Sequence, residues 1–190
     1  MFQETISNEE LYELPLKHFE QEIVVVDHID KVDEAVEYLQ CQEILGFDTE
    51  TRPSFKKGRI NKVALLQLGT AEKVFLFRLN KIGLPKPLCY LLEAPSIKKV
   101  GVAIRDDIKV LQKLHNYNPE GFVELQDLVQ DYGIQNFSLK KLSGIVLGFR
   151  ISKSQRLSNW EALSLSQGQQ VYAATDAWVA FQIYKELLSA

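Results

Sequence analysis

Cysteine and histidine are scarce in this chain. Cys41 and Cys89 lie far apart with no CxxC spacing. A structural zinc site takes about four ligands, so none is expected, and both thiols fit a reduced, cytosolic protein. His18, His28 and His115 are scattered, and none falls in a motif. Long apolar runs are missing too, since no stretch approaches the ~18 consecutive apolar residues of a membrane helix. The opening MFQETISNEELYEL is acidic from its fourth residue and lacks the basic-then-apolar order of an export signal. The chain is therefore expected to be cytoplasmic, with no membrane partner. Nor is positive charge in excess. With 22 Lys+Arg against 25 Asp+Glu the formal net charge is −3. That argues against coating nucleic acid by bulk electrostatics, but not against gripping one strand end locally.

What is present is the balance of a folded domain. Hydrophobic residues make up 46% and charged residues 25% of 190 positions, enough to bury a sizeable core. Residues 1–21 read as a peripheral arm, too polar to form a core, in which Ser7 and Glu10 have capping-box spacing. Residues 22–190 read as one domain without repeats or linkers. EIVVVDHI (22–29) has a strand pattern, and DKVDEAVEYLQ (30–40) is an amphipathic helix that Asp30 can cap. EILGFDTE (43–50), KVALLQLG (62–69) and KVFLFRL (73–79) follow at hairpin-like distances and predict three consecutive antiparallel strands. A helix over 84–94 opens on Pro85 and Pro87. IKKVGVA (97–103) predicts a strand, 104–117 a helix, GFVEL (121–125) a short strand and 127–132 a helix. Ser138 and Ser166 can cap two more helices, running to Leu147 and Leu188. The order implies an α/β fold, a mixed sheet with helices on both faces.

Three acidic groups carry the chemical interest. In Phe47-Asp48-Thr49-Glu50, strand alternation puts Asp48 and Glu50 on one face and Thr49 on the other. Carboxylates that close raise each other's pKa unless a cation holds them. Mg2+ prefers such oxygen ligands and keeps waters that a substrate can replace, although acids at strand ends are common without any metal. In the second group, Asp107 shares the inward helical face of Leu111 and Leu114. Asp106 lies with Val110 and Lys113 and suits the N-terminal end of the helix dipole. An acid on the apolar side is costly without a partner, so Asp107 is favoured as the functional one. In Tyr172-Ala173-Ala174-Thr175-Asp176, i, i+4 spacing lets phenol and carboxylate reach one spot, while the alanines permit close packing on the sheet. Taken singly, Tyr172 is more often a core aromatic with a hydrogen-bonded hydroxyl, and Asp176 a solvated acid.

Together FDTE (47–50), GVAIRDD (101–107) and YAATDA (172–177) resemble the DEDD exonuclease superfamily in its tyrosine-bearing branch. SNWEALSLSQGQQ (158–170) is similar to the ribonuclease D and Werner-syndrome exonuclease subgroup, and the resemblance runs from Ile23 to Leu188. It implies a ribonuclease H-like fold, a five- to six-stranded mixed sheet with helices on both faces. It implies a 3′–5′ exonuclease releasing nucleoside 5′-monophosphates, with two divalent ions, Mg2+ or Mn2+, held by Asp48, Glu50, Asp107 and Asp176. Tyr172 would orient the attacking water. Such a pair of cations, ~4 Å apart, activates a water and stabilises the leaving 3′-oxygen. The subgroup carries extra helical nucleic-acid-binding domains that are not expected here. A helicase or polymerase partner is one alternative source of that binding surface. A non-catalytic nucleic-acid-binding subunit is another reading of the fold, against which the full set of carboxylates and the tyrosine argues.

Basic residues fall near the motifs: Arg52, Lys56, Lys57, Arg59 and Lys62 after the first, Arg105 at the second, and Lys140, Lys141, Arg150, Lys153 and Arg156 before the third. Phosphates need such cations, although a lone basic residue is commonly a surface charge. Lys57, Arg59, Arg105 and Arg156 are the candidate phosphate contacts, and Thr49, Ser158 and Asn159 the candidate polar ones. Phe55 and Trp160 are candidates for stacking on a base, or for packing beside the site. The expected substrate is a single-stranded 3′ end of DNA or RNA. The two differ by one hydroxyl that no residue here singles out.

Overall fold

The computed structural model describes residues 2–55, 58 and 61–190. Its strands are β1 (Glu22–Val26), β2 (Ile44–Thr51), β3 (Val63–Gly69), β4 (Lys73–Phe77), β5 (Lys98–Gly101) and β6 (Phe122–Glu124). They form one sheet in the order β1-β4-β3-β2-β5-β6. The expected antiparallel run β2-β3-β4 is its centre. β1 joins parallel to β4, and β5 and β6 extend the other side in parallel. The α-helices are α1 (Asn8–Glu13), α2 (Val32–Gln40), α3 (Leu79–Ile82), α4 (Lys86–Glu93), α5 (Ile104–Gln112), α6 (Leu125–Leu128), α7 (Leu139–Leu142) and α8 (Gln167–Ser189).

Sheet alternation divides the core. Phe75 and Phe77 of β4 pack on one face with Val36, Leu39, Leu88 and Leu92 of α2 and α4. Val74 and Leu76 point the other way, beneath Ala173, Ala174 and Ala177 of α8. Every residue of β3 is buried, as in a strand covered on both faces. Ser166 caps α8 in a reciprocal box with Gln169, and Ser138 caps α7, which runs on as a π-helix over Ser143–Leu147. Among the described residues, no helix is long and apolar enough to cross a membrane.

Some local expectations shift. Asp30 caps nothing. A 3-10 turn over Ile29–Lys31 intervenes, His28 accepts from the Asp30 N–H, and α2 starts without a side-chain cap. The helix expected over 104–117 stops at Gln112. The arm is more than peripheral: Ile6, Leu11 and Phe19 are buried. Ile6 and Leu11 fill a cluster with Leu142, Ile145 and Ile183, which the α7–α8 side leaves open. Three apolar side chains suffice to anchor a polar segment when a groove awaits them.

The approach of α8 to β2 decides where the chemistry sits. At Gly46, an added Cβ would lie 1.8 Å from the Ala177 carbonyl oxygen. Only glycine lets the helix backbone lie on the strand there. Gly46→Ala must therefore push α8 off the sheet. The expected cost is about 2–3 kcal/mol, read as a lower denaturation midpoint, and a wild-type midpoint would contradict the close approach.

Candidate active site

The outer end of β2 carries Asp48 and Glu50 on the face that α8 covers. One carboxylate oxygen each from Asp48, Glu50 and Asp176 lies within 4.8 Å of the others. The Thr49 N–H donates to Asp48 Oδ1 at 2.8 Å, fixing that carboxylate on its own backbone. Burial, followed by the charges of Asp176, Glu50 and Asp107, pushes the Asp48 carboxyl well above its ordinary range. Burial and then Asp176 and Asp107 raise Glu50 to about 9, with Arg156 pulling the other way. Asp176 is raised to about 7 by burial, against Lys153 and a hydrogen bond from Tyr172. Acids this strained by one another are what a bound cation relieves.

Asp107 arrives from the opposite face. It stands in the first turn of α5 and accepts a short hydrogen bond from the Thr49 hydroxyl. Burial raises its pKa and that hydrogen bond lowers it. α5 itself starts at Ala103, a left-handed residue at φ 59°, where the Glu124 carboxylate accepts the N–H groups of Ala103 and Ile104 at 2.9 and 2.8 Å. An orphan helix end is thus tied to β6, which holds Asp107 in place. Asp106 is exposed and paired with Lys109 at 2.9 Å.

Tyr172 sits one turn before Asp176. Burial, then the charges of Asp176, Glu50 and Asp48, push its phenol upward, so it stays protonated and able to donate. Behind it Trp160 is fully buried, with ring centroids 6.0 Å apart. Trp160 therefore has no face to offer a base and acts as the backing of Tyr172. Its loop is held by Asn159, whose carbonyl accepts from Gln169 Nε2 at 3.2 Å and whose side chain accepts the Glu161 N–H at 3.2 Å. Ser158 donates to Gln155 at 2.6 Å.

The proposed strand contacts divide. Arg156 is exposed and acts on Glu50, while Lys153 lines the cavity with Asp48, Tyr172 and Asp176. Phe55 is 85% exposed beyond β2. Arg105 is paired with Asp127. Arg150 and Lys140 stack over Tyr12 and serve the arm. The Thr49 hydroxyl is committed to Asp107 rather than turned to a ligand. Lys56, Lys57 and Arg59 lie outside the described residues. Sequence reasoning gave Lys153 no role of its own and missed Glu124, which is remote in sequence from the turn it caps. Arg52 meets Glu161 at 3.2 Å and ties the exit of β2 to the tryptophan loop.

A family model described as 3′–5′ exonuclease matches residues 23–190. The chain is 38% identical over 151 residues to the bifunctional 3′–5′ exonuclease/ATP-dependent helicase WRN of Mus musculus, covering 76% of this chain and 11% of that protein. It is 32% identical over 149 residues to a 3′–5′ exonuclease of Arabidopsis thaliana, covering 75% and 52%. It thus spans about half, or much less, of these relatives' lengths. Among solved structures, the EXO domain of Aedes aegypti Nibbler superposes with TM-score 0.82 at 24% identity over 91% of each chain. Escherichia coli RNase D superposes with TM-score 0.80 at 23% identity, over 89% of this chain and 45% of that one. At these identities the two superpositions speak for a shared ribonuclease H-like fold.

Two expectations follow from the geometry. In metal-free protein the acids carry folded pKa values raised above their ordinary ones. Their stabilising contribution is complete below the ordinary carboxylate range and is lost as pH rises towards about 7 for Asp176 and about 9 for Glu50. One extra proton held costs about 1.4 kcal/mol per pH unit, and each kcal/mol shifts a chain this size by about 2–4 °C. The melting temperature in chelator should fall by roughly 10 °C or more from pH 6 to 9, and Asp176→Asn should flatten the fall; an equally steep fall in that variant would contradict the mutual strain. Secondly, Asp107→Asn should lower activity by more than tenfold, roughly the scale for loss of a positioned charge, while Asp106→Asn stays near wild type. The reverse ranking in a rate assay would move the second motif by one residue.

Proposed function

The chain belongs to the 3′–5′ exonuclease family, and from that premise we propose that it releases nucleoside 5′-monophosphates from the 3′ end of a single strand by two-metal-ion hydrolysis. The observation that carries this reading is the convergence of Asp48, Glu50 and Asp176 within 4.8 Å, with Tyr172 one helical turn away. The donor set is all oxygen and crowded with like charge, which fits hard divalent ions, Mg2+ or Mn2+. Asp48, Glu50 and Asp176 would hold one, and Asp107, kept in place by Thr49, would take part in holding the second. Bound there, the ions supply the positive charge that activates a water and steadies the leaving 3′-oxygen.

The remaining roles fall to side chains of this chain. Tyr172 keeps its proton and donates a hydrogen bond that orients the attacking water, its ring fixed by Trp160. Lys153 and Arg156 bring cationic charge to the rim, where the strand's phosphates pass. Phe55 offers an exposed ring on which an end base can stack. The acids are recessed between β2 and α8, so a frayed single strand reaches them more readily than a stacked duplex end. One relative is named as exonuclease and ATP-dependent helicase together. A strand-opening partner would supply the single strand this reading calls for.

The test is digestion of matched 3′-labelled and 5′-labelled strands of DNA and RNA. Label should leave the 3′ end first, as mononucleotide, only with added Mg2+ or Mn2+. Asp48→Ala should lower the rate by at least about 100-fold. Full activity in excess chelator, or release from the 5′ end, would refute the mechanism.

A further inference from the structure

On the flank of α8 away from the acids, the N-terminal arm is joined to the helix at a buried point. The Phe19 N–H donates to Thr175 Oγ1 at 3.0 Å. The same hydroxyl donates to the Val171 carbonyl, one turn back, at 2.6 Å. The buried Phe19 ring lies 6.0 Å from that of Trp178, which shares the Thr175 side of the helix. Trp178 stacks in turn on Phe149 at 5.6 Å. Before Phe19 the arm is pinned to Arg150: the Lys17 N–H donates to the Arg150 carbonyl at 3.0 Å and the Arg150 N–H to the Pro15 carbonyl at 2.9 Å. Arg150 Nε donates to the Leu14 carbonyl at 3.1 Å. Arg150 opens the segment that carries Lys153 and Arg156. The arm therefore touches both walls of the cleft, although it precedes the segment, 23–190, that the family model matches.

Successive helix residues project ~100° apart, so Thr175 and Asp176 occupy adjacent flanks. Gly46 against Ala177 sets how closely α8 lies on the sheet, while its buried side chains and the Thr175 hydrogen bond together hold its rotation. A rotation that released Thr175 would carry Asp176 away from Asp48 and Glu50. Building on the exonuclease reading, we propose that Thr175 is a positioning residue: by holding the Phe19 N–H it fixes the rotation of α8, so that Asp176 completes the acid cluster and Tyr172 faces it. The arm is then a working part of the site rather than an appendage.

Thr175→Val keeps the side-chain shape and removes both hydrogen bonds, whereas Thr175→Ser retains the hydroxyl. With the full chain, Mn2+ affinity is measured by electron paramagnetic resonance of the free ion, beside metal-activation curves on a 3′-labelled strand. Thr175→Val should weaken Mn2+ binding and raise the activation midpoint by about tenfold, the scale for losing a group that orients a ligand. Strand KM should stay within about twofold, and Thr175→Ser should return both readouts to near wild type. Phe19→Leu, which thins the same contact from the arm side, should shift the midpoint in the same direction by less. Ile6→Ala loosens the arm's buried far end, so it should lower the melting temperature with the Mn2+ affinity unchanged. Wild-type Mn2+ affinity in Thr175→Val, no restoration by serine, or an equal shift in Ile6→Ala would overturn the positioning role. A wild-type chain that binds Mn2+ but degrades no strand would instead sink the exonuclease reading, and the affinity series would still decide the role of Thr175.

Discussion

Like-charged carboxylates held within a few ångströms repel one another, and much of the structure is arranged to keep them together. Asp48 and Glu50 are fixed by β2, which pairs with β5 over Ile44–Gly46 and with β3 from Gly46 outward. Asp176 comes from a helix some 130 residues later, and it arrives only because α8 lies directly on that strand. Gly46 and the buried alanines 173, 174 and 177 remove the atoms that would hold helix and strand apart. The cluster is thus assembled against its own electrostatics by apolar packing. Packing is non-directional, so separate contacts must set the angles: Trp160 behind Tyr172, the Thr49 hydroxyl on Asp107, and the Glu124 carboxylate at the head of α5.

The charge of the molecule makes sense on the same terms. A net −3 describes neither wall of the cleft. The floor is acidic and buried, while Lys153 and Arg156 stand at its rim. Cations at a recessed acidic site ease the mutual repulsion of the acids, and in the proposed reaction they would also meet the strand's phosphates. Other basic residues close in sequence have structural duties. Arg150 and Lys140 grip the arm, and Arg105 is paired with Asp127. Nearness to a motif in sequence says little about which cations face a strand.

Local patterns foretold local structure. The alternation of β2 put Asp48 and Glu50 on one face and Thr49 on the other, the helical stripe separated Asp107 from Asp106, a capping box marked the start of α1 and a capping serine that of α8. Each depends on a repeat of two or 3.6 residues that backbone geometry imposes, so it is legible without a fold. Trp160 was ambiguous because an aromatic beside a site reads alike whether it stacks on a base or backs a tyrosine. Only its complete burial decides that. Nor does a sequence reveal that a polar arm is anchored by Ile6, Leu11 and Phe19, because three apolar residues among many polar ones make no periodic signal.

By itself, then, the sequence determined the order of the six strands and of the longer helices, the three acidic motifs and the side chains that one strand or one helix turn brings to a common face. The tertiary structure decided which acids share a cluster, that Thr49 serves Asp107, that Glu124 caps α5 and that Phe19 meets Thr175. These pairs lie 58, 21 and 156 residues apart for Thr49–Asp107, Ala103–Glu124 and Phe19–Thr175. Contacts at such separations come from the packing of whole helices on a sheet, where shape, burial and the absence of a single Cβ at Gly46 select one arrangement that no local repeat encodes.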